Sequence, residues 1–510
     1  MSSSSQAQLV AERRGRSLAS VHSGHISGHS LFLASYLCCS ALILALVSSG
    51  GFLHWFLIPL WMCGVLVTAD ALDWFRGRLD AFDPVGIMGL LGIHFFFLAP
   101  LVHVYSGHWM STPSPPADWR EWLGGMAILN FMGLLVYRWS RNQAQRVSRR
   151  PSETTEWRIV PRRFLGLFSL ALLLTGFLQV EIYYQMGGLL GYMSDLAGPE
   201  AFQGMGWMFM ISESFPVLAL IGVVVCARRR NQAWSWTLIL GLLLAYLSLK
   251  LFFGGLRGSR SNTIWGLFWA VGIVHFWIRE VPKKTILVGI AFLVSFMYFY
   301  GFYKALGVEA FEALQTSEDV GGLAAETGRT LEVTILSDLA RSDVQAFLLY
   351  QLSTYPDDYE FAKGRTYLGA AALLIPRSWW PNRPPTKVKE GTEVQYGTGA
   401  FVPGRLQSSR VYGLAGEAML NFGPIGIPFV FGALGMLVGS ARNMLTTLRS
   451  DDARFLLYPL LINLCFVILV SDSDNVVFFI LKNGALPFLL IAASTRRYQH
   501  RVSGGDSATC

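Results

Sequence analysis

The string FGGLRGSRSNTIW sets Arg257 and Arg260 in a glycine-rich turn between two apolar runs. Two guanidiniums in such a place suit an anion. Gly254, Gly255 and Gly258 let the backbone approach a ligand closely, and the turn opens the next helix at Ser261 or Asn262. A helix N-terminus beside two planar, fork-shaped cations matches phosphate. The plainer alternative is that both arginines snorkel to lipid headgroups. Arg377, Arg405 and Arg410 follow in a long polar segment. With them, the chain offers a polyanion site at a membrane surface, where a lipid-linked diphosphate is an available anion.

Other residues carry weaker signals. In LEVTILSDLARSDVQAFLLYQLSTY (331–355) the apolar spacing fits an amphipathic helix. Asp338, Arg341 and Gln345 then share one face, either as the solvated stripe of an interfacial helix or as part of a site. His94 and Glu213 interrupt apolar runs, where ionisable groups are costly and often functional. Pro216 after Glu213 predicts a kink, and a lone His94 reads as a hydrogen-bonded packing residue. Asp472 and Asp474 in SDSDN form a DxD pair of the kind metal-dependent sugar-nucleotide enzymes use, but they read better as a solvated turn. There is no GxxxxGK[ST], HExxH or GxSxG string, no zinc-like cysteine spacing and no nucleic-acid module, so no cofactor and no metal are expected.

Of the 510 residues 53% are hydrophobic and 15% are charged, against about 25% charged in soluble domains. Apolar runs of about 18 residues or more recur, long enough to cross a hydrocarbon core of about 30 Å. They are continuous, which excludes the alternating strands of a membrane β-barrel. The expected fold is an all-α polytopic membrane protein with about twelve transmembrane helices, over 31–48, 51–70, 85–105, 119–138, 164–184, 204–227, 234–253, 262–279, 285–303, 413–440, 455–471 and 475–494. Residues 1–30 read as a disordered tail, 31–303 and 413–494 as the membrane domain, 304–412 as a large extracytoplasmic loop with short amphipathic helices, and 495–510 as a C-terminal tail. Lys and Arg alternate between connections. Clusters at Arg13–Arg16, Arg76–Arg78, Arg138–Arg163, Arg228–Arg230, Arg279–Lys284, Arg442–Arg454 and Arg496–Arg501 fall on one side. Positive charge stays in the cytoplasm, which puts both termini inside. The loop is segregated in charge: 304–360 holds three basic and eleven acidic residues, and 361–412 holds eight basic and two acidic.

Five segments in this order, YYQMGGLLGYMSDL (183–196), GGLRGSRSN (254–262), SDLARSDVQA (337–346), LIPRSWWPNRP (374–384) and GLAGEAMLNFGPIG (413–426), resemble the Wzy-type O-antigen, or oligosaccharide repeat-unit, polymerases. The resemblance covers roughly 160–480. It implies a metal-independent glycosyltransferase in a bacterial inner membrane. Its partners are a polyprenyl-diphosphate-linked oligosaccharide and the bilayer, with a chain-length regulator and a flippase nearby and no nucleic acid. A growing glycan leaves its polyprenyl diphosphate for the next lipid-linked repeat unit, in O-antigen, capsule or exopolysaccharide synthesis. By the same resemblance Arg257, Arg260, Arg341, Arg377, Arg405 and Arg410 are diphosphate-binding candidates. Glu417, then Asp338 and Asp343, are candidate bases. Glu417 has a structural alternative, as buried partner of a loop arginine. A ligase, a flippase or other transporter, and a non-catalytic scaffold are the competing readings.

Overall fold

In hydrocarbon every backbone N–H and C=O must be satisfied within the chain, so apolar runs become helices. A computed structural model describes residues 28–48, 53–110, 113–147, 154–194, 205–229, 234–257, 260–307, 309–310, 320–375, 379–402, 409–449 and 451–500. Sixteen of its helices matter below. The first nine are α1 (Gly28–Ser48), α2 (Leu57–Phe75), α3 (Pro84–Ser106), α4 (Trp119–Val147), α5 (Pro161–Gln185), α6 (Gly206–Arg228), α7 (Trp236–Phe252), α8 (Arg260–Trp277) and α9 (Lys283–Leu306). Then come α10 (Ser342–Thr354), α11 (Arg365–Ala372), α12 (Lys387–Tyr396), α13 (Gly413–Phe422), α14 (Gly426–Thr447), α15 (Tyr458–Val470) and α16 (Ser473–Ser494). Eight of these, α1, α2, α3, α5, α6, α9, α14 and α16, are long and apolar enough to cross a membrane; α7, α15 and most of α8 are shorter apolar helices. On α1, α5 and α9 side chains such as Leu44, Leu173 and Val288 are exposed. Apolar surface of that extent needs an apolar surrounding.

The centre is built on α4 and α14, which run parallel. Gly435 and Gly439 set the spacing: a Cβ on Gly435 would lie 2.1 Å from Ser140 Oγ and 2.3 Å from the Tyr137 carbonyl oxygen, and one on Gly439 2.6 Å from the Arg141 carbonyl oxygen. Small residues four apart let two backbones touch, the usual device for packing helices in lipid. Beside this seam Asp70 of α2 takes Arg138 at 3.0 Å and Arg141 at 2.9 Å.

Four expectations change. The 413–440 run is not one span. Gly423 adopts a left-handed φ of +69° that a Cβ would resist, Pro424 follows, and the chain turns from α13 into α14. Residues 331–355 are not one helix either. A π-helical turn, Val333–Asp338, precedes α10, and Arg341 sits between them at φ −141°. Asp338, Arg341 and Gln345 therefore do not share a helix face. Third, Thr495–His500 is no plain tail: it is a strand (β2) antiparallel to Thr154–Ile159 (β1), with Thr154 opposite His500 and Ile159 opposite Thr495. Arg158 stacks on Tyr498 and Arg497 on Trp157, 5.4 and 5.0 Å from the ring centres. Fourth, the expected kink after Glu213 takes the form of a two-residue turn within α6, Glu213 and Ser214, between helical stretches Gly206–Ser212 and Phe215–Arg229. Residues 1–27 and 501–510 of the predicted tails lie outside the described residues.

Residues 304–412 connect α9 to α13 and contain α10, α11 and α12. They cover the end of the bundle where α3 and α9 finish and where α4 and α16 begin. That end is called the loop end below.

Candidate functional site

At the loop end the π turn hangs on α3. His94, itself in a π turn of α3 (His94–Leu98), donates through Nε2 to the Ile335 carbonyl oxygen at 3.2 Å. His108 lies 3.5 Å from Ser337 Oγ, and His103 Nδ1 is 2.8 Å from the His108 carbonyl oxygen. Inserted π turns widen a helix locally and recur at functional sites. Here the second one turns the chain so that Arg341 folds back. Its Nη1 donates to the carbonyl oxygens of Ser337 (3.0 Å), Asp338 (3.1 Å) and Ala340 (2.5 Å).

This arrangement leaves a cavity of about 110 Å3 lined by Ser337, Asp338, Arg341, Asp343 and Arg410, with two valines. It has room for several waters or one phosphate-sized anion. Arg341 Nε and Asp343 Oδ2 are buried there without a hydrogen-bond partner, although buried polar groups are normally paired. Burial pulls the Arg341 pKa below the ordinary arginine value, against the opposing charges of Asp472, Asp338 and Asp343. His103 Nε2 lies 4.0 Å from Asp343 Oδ1, and both side chains are buried.

Asp472 forms the adjoining wall. Its Oδ1 accepts the N–H groups of Tyr412 and Gly413, each at 2.9 Å, and Lys387 of α12 lies 2.5 Å from Oδ2. Lys387 also donates to the Arg410 carbonyl oxygen at 2.6 Å. One carboxylate thus ties α12, the entry to α13 and the start of α16 together. Asp472 is fully buried and Asp474 nearly so, which overturns the solvated-turn reading of SDSDN. The signal was there: Asp and Ser directly ahead of an apolar run mark a helix start.

Glu417 lies one step further on. Its Oε1 accepts Thr366 Oγ1 at 2.7 Å and Ser473 Oγ at 2.5 Å, and its Oε2 accepts the Ser473 N–H at 2.6 Å. Asn421 donates to Thr366 Oγ1 and to the Glu417 carbonyl oxygen, and accepts the Gly364 N–H. Burial first, and the charge of Asp472 second, raise the Glu417 pKa to about 7. Its partners are hydroxyls and a backbone N–H, not the loop arginine suggested as its structural alternative.

Of the residues singled out from sequence, Asp338, Arg341, Asp343 and Arg410 meet at one cavity. Glu417 is joined to it through Asp472, whose charge acts on both Glu417 and Arg341. Arg257 ends a 3-10 turn and Arg260 opens α8; their side chains, and all of Arg377 and Arg405, lie outside the described residues. Sequence reasoning set Asp472 aside as a turn residue and passed over Lys387 and His103. The last two look ordinary in sequence, one a loop lysine and the other a polar residue near a span end; only the fold buries them beside acids. Chemically, the site combines two guanidiniums that can hold an anion with carboxylates that can take a proton. Compared with protein families, with characterised proteins and with solved structures, the chain matches none.

Proposed function

We propose that this chain is a membrane glycosyltransferase that polymerises lipid-linked oligosaccharide repeat units. The observation that carries the reading is the cavity at the loop end, where buried Arg341 and Asp343 each keep an unpartnered polar atom beside Arg410. An anion with an apolar tail suits this position, because the cavity sits where apolar helices end. In this reading α4 and the shorter apolar helices α7, α8 and α15 join the eight long ones to give twelve spans. The loop end is then extracytoplasmic, in a bacterial inner membrane, with both termini inside.

The reaction follows from that chemistry. Arg341 and Arg410, with Arg257, Arg260, Arg377 and Arg405 as further cationic candidates, hold the diphosphate of the donor. The acceptor hydroxyl oxygen bonds to the anomeric carbon of the donor glycan as the bond from that carbon to the diphosphate oxygen breaks. Charge grows on the leaving diphosphate, and fixed guanidiniums lower the barrier by meeting it there. The acceptor's proton passes to a carboxylate. Asp343, whose Oδ2 has no hydrogen-bond partner, suits that role better than Glu417, whose oxygens already accept three hydrogen bonds. Asp338 is the other carboxylate on the cavity wall.

A chromosomal deletion tests the reading. Cells without the protein should export single repeat units and make no long chains. Single units retained inside would instead indicate a flippase, and full-length polymer left on its lipid carrier a ligase.

A further inference from the structure

A second polar cluster lies inside the apolar bundle, away from the loop-end cavity. Lys250, in the last turn of α7, is fully buried. Its Nζ donates to the Glu213 carbonyl oxygen at 3.2 Å and to Asn483 Oδ1 at 3.0 Å. The first acceptor is exposed by the turn in α6; the second sits in a π turn of α16, Ile480–Ala485. Lys482, from the same π turn, lies 3.6 Å from Glu213 Oε2 with its side chain 22% exposed. Both helices thus depart from regular geometry at the same place, and each brings polar atoms to Lys250.

The charges do not cancel. Among the described residues, Glu213 and Lys482 are the charged groups acting on Lys250, so there two ammonium groups share one carboxylate. A surplus cation in an apolar surrounding is costly. Two neutral donors next to it are also unused: Tyr246 Oη and Ser212 Oγ are buried without a partner. Tyr246 is one turn from Lys250, and Ser212 adjoins Glu213. Across from them Lys250 and Tyr246 both pack against the backbone of Gly266, where a Cβ would come within 2.7 Å of Lys250 Cε and 2.9 Å of Tyr246 Oη, so the two side chains lie side by side.

We infer that Lys250, Lys482, Tyr246 and Ser212 form an anion site within the bundle that takes the phosphate or diphosphate head of a membrane lipid. An ammonium has three donors, and Lys250 spends two on protein. The hydroxyls supply neutral donors, and the lipid supplies the missing negative charge. An apolar tail is required because the surrounding helices face lipid, and Lys482, partly exposed, marks the entry. Lys482 is ten residues along α16 from Asp472, roughly 15 Å at helical rise, so this site is separate from the loop-end cavity and does not rest on the activity proposed for it.

The test uses full-length protein in neutral detergent and two probes, radiolabelled farnesyl diphosphate and short-chain phosphatidylglycerol. Saturable binding of at least one is expected. Measured in an Arg341→Lys background, which disables the loop-end cavity, Lys250→Met and Lys482→Gln should each weaken it about tenfold or more, the scale of one charge-assisted hydrogen bond, while Thr446→Cys, at the far end of α14, should leave it unchanged. Farnesyl diphosphate bound in preference identifies a polyprenyl carrier as the source; equal competition by phosphatidylglycerol identifies bulk lipid. If Lys250→Met does not fold, Lys482→Gln decides alone, because its side chain is partly exposed. Absence of saturable binding to the unaltered protein, or folded variants within twofold of its affinity, would overturn the site.

Discussion

Asp343 and Glu417 are both buried carboxylates, but their surroundings assign them different work. Asp343 Oδ2 has no hydrogen-bond partner, so Asp343→Asn should remove a proton acceptor without collapsing a network. Polymerisation should fall at least about 100-fold, within the range general bases contribute, at normal protein abundance. Arg341→Lys keeps the charge and loses the fork. Losing a donor aimed at developing charge costs about 2.7–4 kcal/mol, or about 100- to 1000-fold in rate. Glu417 is tied to three donors, and an amide there would turn its NH2 on a donor or leave one unpaired. Glu417→Gln should therefore cost about 1–3 kcal/mol of stability. The pH response adds a second reading. A carboxyl whose pKa rises from 4.5 to about 7 on folding holds its proton more tightly when folded. Its stabilising contribution is complete below about 4.5 and is lost as pH rises through about 7. The thermal midpoint of the purified protein should decline between pH 5 and 8 more steeply than that of Glu417→Gln; equal slopes would show that Glu417 does not titrate there.

At the scale of elements, the seam between α4 and α14 is the tightest feature. Gly435→Leu would drive a side chain into Ser140 and the Tyr137 backbone. Overpacking of this kind costs about 1–3 kcal/mol, and separating these helices also moves α10, which packs on α4 through Trp122 and Tyr350, ring centres 5.3 Å apart. The expected outcome is a lower thermal midpoint together with lost polymer; a midpoint unchanged from the parent would mean that the seam is slack. Most helices were legible because hydropathy and length decide them, and α3, predicted at 85–105, is found at 84–106. The π turns were not legible. Nothing in HFFFL or VTILSD distinguishes an inserted residue from a regular turn, and the insertions are fixed by tertiary contacts such as His94 to Ile335. The same limit hid the site. Arg341, Asp338 and Asp343 are close in sequence and could be grouped, whereas Lys387 and Asp472 are 85 positions apart and meet only because α12 folds over the start of α16.

For the whole molecule, the segregation of basic residues predicts that the loop end faces away from the cytoplasm. In a background lacking the native cysteines, Thr398→Cys, exposed between α12 and α13, should react with an impermeant thiol reagent added outside intact inner-membrane spheroplasts. Thr446→Cys, exposed at the far end of α14, should react only after lysis. The reverse pattern would invert the orientation. In the predicted orientation the strand pair Thr154–Ile159 with Thr495–His500 lies on the cytoplasmic side, closing the bundle opposite the site. The central claim is that this protein alone joins lipid-linked repeat units at the loop-end cavity. The direct measurement is reconstitution of purified protein in vesicles with a polyprenyl-diphosphate-linked repeat unit and no nucleotide or metal, with products resolved by length. The account predicts a ladder of multiples with the unaltered protein and monomer only with Arg341→Lys and Asp343→Asn. A full ladder from both folded variants, or none from active-length protein supplied with its own cell's repeat unit, would contradict it.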